Sequence, residues 1–156
     1  MKKIIVTLVI AVSSFSAAFA GNAFGKPSTV KGEEVSARVL GVFHKEFTTA
    51  KDITWTVASN YYQASFMYND QYVSAYYSID GDLMGMTRFI RPADLPLALQ
   101  SDLKKNHHEY WVTDLFEVAN ENGTAYYITL EDADQKIVLK ANDGKTWENY
   151  KKVKKA

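Results

Sequence analysis

Two different hydrophobic periods follow one another along the chain. Between residues 33 and 49, apolar side chains recur every three or four positions, at Val35, Val39, Val42, Phe43 and Phe47. That spacing places them on one face of a helix, because an α-helix has about 3.6 residues per turn. Beyond Lys51 the period changes to two, which is typical of strands that bury one face. The pattern therefore predicts a helix followed by strands.

Four strands are predicted before the middle of the chain. Alternating apolar positions mark them at residues 53–57, 62–68, 73–79 and 83–90. Asn69-Asp70 and Asp80-Gly81 fall between strands, and both pairs suit two-residue hairpin turns, which need positive φ angles. Because the turns are short, successive strands are predicted to pair as an antiparallel meander.

A second helix and a second set of strands follow. Asp94 is predicted to be the N-cap of this helix, with Pro96 in its first turn and its end near Asn106. Its apolar stripe consists of Leu95, Leu99 and Leu103. Further strands are predicted at residues 111–119, 126–130, 137–139 and 146–153.

The two halves therefore share one plan of a helix and four strands. Asp143-Gly144 repeats Asp80-Gly81 at a shift of 63 residues. The sequence predicts an α+β domain at residues 33–153, built from two αββββ repeats at about 33–91 and 92–153. Each sheet segment can bury one face under its helix and leave the other face accessible.

Residues 1–20 have the features of a secretory signal peptide. Lys2 and Lys3 precede an apolar run, and Ala18-Phe19-Ala20 fits the small-x-small pattern of a signal-peptidase site. The alternatives are a membrane anchor or a buried helix, but the run is shorter than the roughly 20 residues that span a membrane. Cleavage after about Ala20 would release a periplasmic or secreted protein without a lipobox Cys. Residues 21–32 contain three Gly and are predicted to be a flexible leader.

Composition narrows the possible partners. The whole chain has 18 Lys and Arg against 18 Asp and Glu, and removing residues 1–20 would leave a net charge of −2. A nucleic-acid binder usually has a strong basic excess, so no nucleic-acid partner is predicted. With 47% hydrophobic residues the chain is not typical of disordered proteins. The absence of Cys excludes disulfides, thiolate nucleophiles and Cys-ligated metals.

Recognisable catalytic or metal-binding motifs are not found. His107 and His108 are adjacent and would point about 100° apart on a helix, while His44 belongs to the other helix. Asp80-Gly81-Asp82 does not continue into a calcium-binding EF-hand loop. Neither a Gly-x-Ser-x-Gly nucleophile elbow nor a Gly-rich phosphate loop occurs. We therefore predict a non-enzymatic protein with no cofactor, no metal site and no catalytic residues.

Several landmarks resemble one family in their order and spacing. They are Phe43-x-x-x-Phe47-x-x-Ala50-x-x-Ile53-x-Trp55, Tyr76-Tyr77-x-x-Asp80-Gly81, Asp94-Leu95-Pro96, and Tyr126-Tyr127 followed by Asp143-Gly144. Over roughly residues 35–152 the chain resembles the PepSY-like, beta-lactamase-inhibitor-like domains of exported Bacteroidetes proteins. The resemblance implies tandem αββββ units whose strands form one curved antiparallel sheet, with both helices packed on one face. In the beta-lactamase inhibitor with this fold, the exposed sheet face binds an enzyme. That inhibitor carries disulfides, whereas this chain has no Cys.

Aromatic residues supply the candidate binding site. If Tyr62, Phe66 and Tyr77 face the core, strand alternation turns other large side chains outward. The predicted partner-binding residues are Tyr61, Met67, Tyr72, Tyr76 and Tyr127. Alternatively, these Tyr residues are present only because Tyr favours strands. Replacing Tyr72 and Tyr76 with Ser should abolish partner capture without a loss of stability, and a large loss would place them in the core.

Three functions remain open at this point. The first is an exported binding module that binds or inhibits a periplasmic protein or peptide through the exposed sheet face, with no stable membrane insertion after signal cleavage. The alternative is a small-ligand carrier or an enzyme of cystatin-like fold, with a pocket between helix and sheet. The third is a self-associating structural protein of the cell envelope.

Overall fold

The computed structural model describes residues 28–30 and 32–154. The predicted signal peptide, residues 1–20, lies outside the described residues. Within them are two α-helices, α1 (Ala37–Glu46) and α2 (Leu97–Asn106), each preceded by a short 3-10 turn, Gly32–Glu34 and Pro92–Asp94. The nine strands are β1 (Ser28–Val30), β2 (Lys51–Val57), β3 (Tyr61–Tyr68), β4 (Gln71–Ser78), β5 (Leu83–Phe89), β6 (Trp111–Asn120), β7 (Gly123–Glu131), β8 (Gln135–Ala141) and β9 (Glu148–Lys154).

All nine strands form one antiparallel sheet in chain order, from β1 at one edge to β9 at the other. The first and last strands do not pair, so the sheet is open. This confirms the predicted α+β class and the antiparallel pairing. The order of a helix and four strands occurs in both halves of the described chain.

Both helices pack on the same face of the sheet, which we call the helix face. The apolar stripe of α1 buries Val39 and Phe43 completely, in a cluster with Trp55, Phe66 and Tyr77. A second cluster places Leu99 of α2 against apolar residues that include Leu115, Ile128, Leu130 and Leu139. Residues paired directly across antiparallel strands share a face, so the alternate residues lie on the opposite, open face.

Strand β1 corrects the predicted leader. Residues 21–32 were expected to be flexible throughout, but Ser28–Val30 forms a strand that pairs with Val57, Thr56 and Trp55 of β2. Thr29 and Val30 are β-branched, a property that favours the extended conformation. The sheet therefore begins within the segment that composition alone assigned to a leader.

Both helices begin later than their sequences predict. The side chain of Ser36 accepts a hydrogen bond from the backbone N–H of Val39 and caps α1, so Glu33 and Glu34 precede the helix. The predicted N-cap role of Asp94 is wrong. The N-cap of α2 is Pro96, because a residue before proline avoids the helical conformation and Leu95 is extended.

The predicted hairpin turns are present, and one strand end is irregular. Asn69 and Asp70, which alone separate β3 from β4, have φ angles of 49° and 59°, as a two-residue hairpin turn requires. The connection between β4 and β5 is longer, residues 79–82, and Gly81 in it has a φ angle of 90°. In β2 the register shifts between Lys51 and Thr54, where Asp52 has a φ angle of 53°. This bulge interrupts the alternation that predicted Ile53 in the core, and Ile53 is exposed.

Candidate functional site

All five predicted partner-binding residues lie on the open face. Ala64–Ala75 and Tyr62–Tyr77 are pairs of the helix face, and the predicted residues of β3 and β4 alternate with them. Tyr127 of β7 likewise alternates with the buried Ile128. Strand periodicity therefore predicted correctly on which face of the sheet these five residues lie. These five residues, Tyr61, Met67, Tyr72, Tyr76 and Tyr127, fall into separate places on it.

Tyr61 and Tyr76 form a pair at one end of β3 and β4. Their ring centroids are 6.0 Å apart. Tyr76 is only 9% exposed, which corrects its expected role as an exposed contact residue. Burial raises the pKa of Tyr76, and a hydrogen bond with Thr87 offsets part of that effect. Tyr76 is therefore packed into the open face, and the ring of the half-buried Tyr61 lies next to the Tyr76 ring.

A polar strip separates this pair from the other predicted residues. The amide nitrogen of Gln63 donates to the hydroxyls of Ser65 and Ser74 at 3.2 and 3.3 Å, and these hydroxyls lie 2.9 Å apart. Met67 and Tyr72 come next and face each other across β3 and β4. The first half of the open face thus has an aromatic pair and a Met–Tyr pair with hydrogen-bonding groups between them.

Met67 and Tyr72 begin a row that crosses the sheet. Val73 pairs with Arg88, so their neighbours Tyr72 and Phe89 lie opposite each other at the next position of the β4–β5 ladder. Phe89 is paired with Phe116 in β6, and Phe116 with Tyr127 in β7. The row continues to Tyr150 of β9, whose ring contacts that of Tyr127. We call Met67, Tyr72, Phe89, Phe116, Tyr127 and Tyr150 the aromatic row.

Ring contacts join the second half of the aromatic row. Phe89 and Phe116 have centroids 6.3 Å apart, and Phe116 stacks on Tyr127 at 5.2 Å with an interplanar angle of 6°. Tyr150 meets Tyr127 edge-on at 5.4 Å, and the ammonium of Lys140 lies 5.3 Å from the Tyr127 ring centroid. These geometries are the favourable ones for aromatic and cation–π pairs.

The row combines supported and projecting side chains. Phe116 is 7% exposed, whereas Tyr72, Phe89 and Tyr150 are 65%, 70% and 62% exposed. Large apolar side chains with such exposure on a strand face leave a considerable apolar area in water. At about 4.8 Å per strand, the row extends about 29 Å from β3 to β9.

Sequence reasoning missed Phe89, Phe116 and Tyr150. The signal for Phe116 was present, because it alternates with Leu115 and must occupy the face opposite the core. Phe89 ends β5 and follows the same alternation. Tyr150 was harder to place, because the register of β8 with β9 shifts between Val138 and Leu139 and breaks the simple period of two.

A cavity of about 290 Å³ lies beside the first core cluster, where β5 meets β6. Apolar side chains that include Phe47 and Met86 line it, together with Arg88, Glu117 and Gln71. The guanidinium of Arg88 donates to both carboxylate oxygens of Glu117, at 3.0 and 3.2 Å, and to the side-chain oxygen of Gln71 at 2.8 Å. The polar side chains that line the cavity thus hydrogen-bond mainly to one another. The space between each helix and the sheet is filled by buried side chains.

The histidines lie at helix ends. His44 is exposed in the last turn of α1, His107 is the C-cap of α2 and His108 follows it, exposed. Within residues 28–30 and 32–154, no group of three or more His, Asp or Glu side chains is arranged to hold a metal ion. The helices of this part of the chain are too short and too polar to cross a bilayer.

Comparison with solved structures identifies the class of fold. The chain has the fold of the BLIP-like proteins, and the predicted resemblance to the beta-lactamase-inhibitor-like proteins of Bacteroidetes is confirmed at that level. A BLIP-like protein of Bacteroides fragilis matches with a TM-score of 0.68 and 18% identity over 78% of this chain and 88% of that one.

Two further solved structures from Bacteroides have a similar fold. A DUF2874 family protein of Bacteroides ovatus matches with a TM-score of 0.69 and 16% identity, over 79% of this chain and 89% of that one. A protein of Bacteroides eggerthii, whose description proposes a periplasmic location, matches with a TM-score of 0.66 and 15% identity, over 77% and 88%. No protein-family model and no curated protein matches the chain.

Proposed function

We propose that this chain is a non-enzymatic module that binds a periplasmic protein or peptide through the aromatic row of its open face. The observation that carries the proposal is the row itself, a line of large side chains across the open face, which neither α1 nor α2 covers. Aromatic side chains dominate the energetics of protein interfaces. A row of them on a rigid sheet loses little conformational entropy when a partner binds.

The packing and exposure of the side chains in the row suit a protein interface. Hot-spot residues are usually surrounded and held by neighbours, and Phe116 is held between the rings of Phe89 and Tyr127. Tyr72, next to Met67 at the first end of the row, and Tyr150 at the other end project from the sheet and carry hydroxyls that can donate to a partner. In this proposal Met67, Tyr72 and Tyr127 contact the partner as predicted from sequence.

Similar proteins support the proposal without naming a partner. One structural neighbour is described as BLIP-like, after a beta-lactamase inhibitor, and another by a periplasmic location. Both descriptions agree with an exported binding protein. Because this chain has no Cys, a disulfide-held inhibitory loop is not part of the proposal.

Two substitutions in the row test this function. The double variant Tyr72→Ser and Phe89→Ser removes two exposed rings and should abolish capture of a partner by the immobilised protein from periplasmic extract, with the captured protein identified by mass spectrometry. A matched control is Leu97→Ser on α2, since Leu97 is 82% exposed on the helix side of the molecule. Equal capture by all three proteins would reject the aromatic row as the binding surface.

We also propose that the chain carries an export signal and that its domain arose by internal duplication. Residues 1–20 would act as a cleaved signal peptide, so the exported protein would begin near Gly21, which N-terminal sequencing would test. Residues 33–91 and 92–153 would be copies of one αββββ unit. The equivalent turns support this, because Gly81 and Gly144 both have positive φ angles, of 90° and 68°, and are 63 residues apart.

A further inference from the structure

Strand β9 forms an uncovered edge of the sheet. It pairs with β8 on one side, and among residues 28–30 and 32–154 no strand lies beyond it. Every second residue of an edge strand directs its backbone N–H and C=O groups away from the sheet, where they can pair with another extended chain. Residues 148–152 and Lys154 are all exposed, so no other element of the described chain covers this edge.

The lysines of β9 determine what kind of extended peptide can pair with this edge. Lys152 is paired with Ile137 and Lys154 with Gln135, so both side chains lie on the helix face, two residues apart. Neither is joined to a carboxylate within the described part of the chain. Lys151 is paired with Val138 and lies on the open face. The end of β9 is therefore basic on both faces of the sheet.

This charge pattern disfavours a second copy of the chain. Antiparallel pairing of two β9 strands would bring lysines close to lysines, and like charges across a strand pair are destabilising. Edge lysines are a common means of preventing such self-association. The same lysines attract a strand with carboxylates at matching positions, because opposite charges across a strand pair are stabilising.

We propose that β9 accepts an acidic extended peptide as a tenth strand, by β-strand addition. The recognised pattern has two acidic residues separated by one residue, because Lys152 and Lys154 share a face and successive residues of the peptide alternate between faces. Backbone hydrogen bonds hold the peptide, and the two ion pairs set its register. This edge adjoins the aromatic row, which ends at Tyr150 of β9, but the proposal does not rest on the function proposed for the row.

Short peptides of equal charge test the pattern. A capped, fluorescently labelled peptide TEVEVT presents both Glu side chains on one face, whereas its isomer TEEVVT presents one on each. Because Lys151 on the open face could pair with the second Glu of TEEVVT, the two peptides are compared on the Lys151→Gln variant. By fluorescence anisotropy at low salt, TEVEVT should bind this variant at least about threefold more tightly than TEEVVT, the effect of roughly one surface ion pair. Binding should weaken with salt, because the Debye length falls from about 30 Å at 0.01 M to about 8 Å at 0.15 M.

Backbone pairing is tested separately from charge. A TEVEVT peptide N-methylated at alternate residues keeps both carboxylates and loses its N–H donors on one edge, and should no longer bind. Hydrogen exchange of the backbone amides at residues 151–154 should slow when TEVEVT is added. Equal binding of the N-methylated peptide, or unchanged exchange, would overturn strand addition and indicate general attraction of polyanions such as anionic lipid.

Charge reversal locates the site on the protein. The double variant Lys152→Glu and Lys154→Glu should weaken TEVEVT binding roughly tenfold. The control Lys104→Glu and Lys105→Glu, in the last turn of α2, makes the same change in net charge away from the edge and should leave binding unchanged. Loss of binding in both variants, or in neither, would contradict the proposal. Lys152→Arg with Lys154→Arg should retain binding, and thermal unfolding would confirm that all variants fold.

Discussion

Tyr72 and Tyr76 lie on the same strand and the same face, yet their surroundings differ. Tyr72 is 65% exposed, and Tyr76 is nearly buried beside Tyr61 and Thr87. Removing an exposed ring costs little, because its apolar surface was already in water. Removing a buried ring leaves a cavity whose lining loses its contacts. Substitutions of these two residues therefore distinguish a role in packing, at Tyr76, from the binding role proposed for Tyr72.

We predict that Tyr76→Ser lowers the free energy of unfolding by about 2–4 kcal/mol, the range for large-to-small substitutions of buried side chains. Tyr72→Ser should change it by less than about 0.5 kcal/mol, as is usual at exposed positions. Urea denaturation followed by tyrosine and tryptophan fluorescence measures both. Similar losses for the two variants would mean that Tyr72 is also part of the packed structure.

Strand alternation predicts on which face each residue lies, but not how much of it remains exposed. The face follows from a period of two along one strand, which the sequence shows directly. Exposure depends on side chains from neighbouring strands, such as Thr87 beside Tyr76, and on register, which depends on bulges. For this reason the open face was predicted from the sequence, whereas the burial of Tyr76 and the inclusion of Tyr150 in the row were not.

At the scale of elements, the segment before α2 shows why Asp94 does not cap the helix. Asp94 accepts hydrogen bonds from the backbone N–H of Arg91 and from its guanidinium group, all at 3.0 Å. These bonds close the 3-10 turn Pro92–Asp94 instead of the helix. The arginine side chain first, and the backbone N–H next, hold the pKa of Asp94 at about 2, below its ordinary 3.8.

We predict that the Asp94 carboxyl titrates near pH 2 and that Arg91→Ala moves this pKa part of the way back toward 3.8, since the backbone donor remains. A lowered folded-state pKa means that Asp94 stabilises the turn above about pH 4, and that this contribution is lost as the pH falls toward 2. NMR titration of the side-chain carboxyl carbon measures both values. An unchanged pKa in Arg91→Ala would show that the guanidinium has no such role.

The strands and hairpins were more predictable than the helix starts. Asn69-Asp70 and Asp80-Gly81 carry local signals for their turns, so strand order and antiparallel pairing follow from short stretches of sequence. The start of α2 depends on the competition between Asp94 as a cap and Pro96 as a restraint on Leu95. Strand β1 is stabilised by pairing with β2, a contact that lies outside its own sequence.

On the scale of the whole molecule, one sheet supports two separate apolar clusters. Phe43 belongs to the first and Leu99 to the second, and no buried residue is shared between them. The halves meet where residues Met86 to Phe89 of β5 pair with Phe116 to Ala119 of β6, beside the Arg88–Glu117 ion pair.

We predict that Leu99→Ala lowers the free energy of unfolding by about 2–5 kcal/mol, because Leu99 is fully buried. Native-state hydrogen exchange should accelerate most at the amides of β6, β7 and β8, and less in β2, β3 and β4. The NMR-detected exchange of individual amides measures this directly. Equal acceleration in all six strands would show that the halves open only together.

The aromatic row crosses the junction between the halves, so the binding role proposed for it needs both halves of the molecule. A photoreactive benzoylphenylalanine placed at Tyr72, Tyr150 or Leu97 of the protein, expressed in living cells, tests that role most directly. The account predicts that Tyr72 and Tyr150, at opposite ends of the row, cross-link to the same partner and that Leu97 does not. Cross-linking from Leu97 alone, or from none of the three positions, would contradict it.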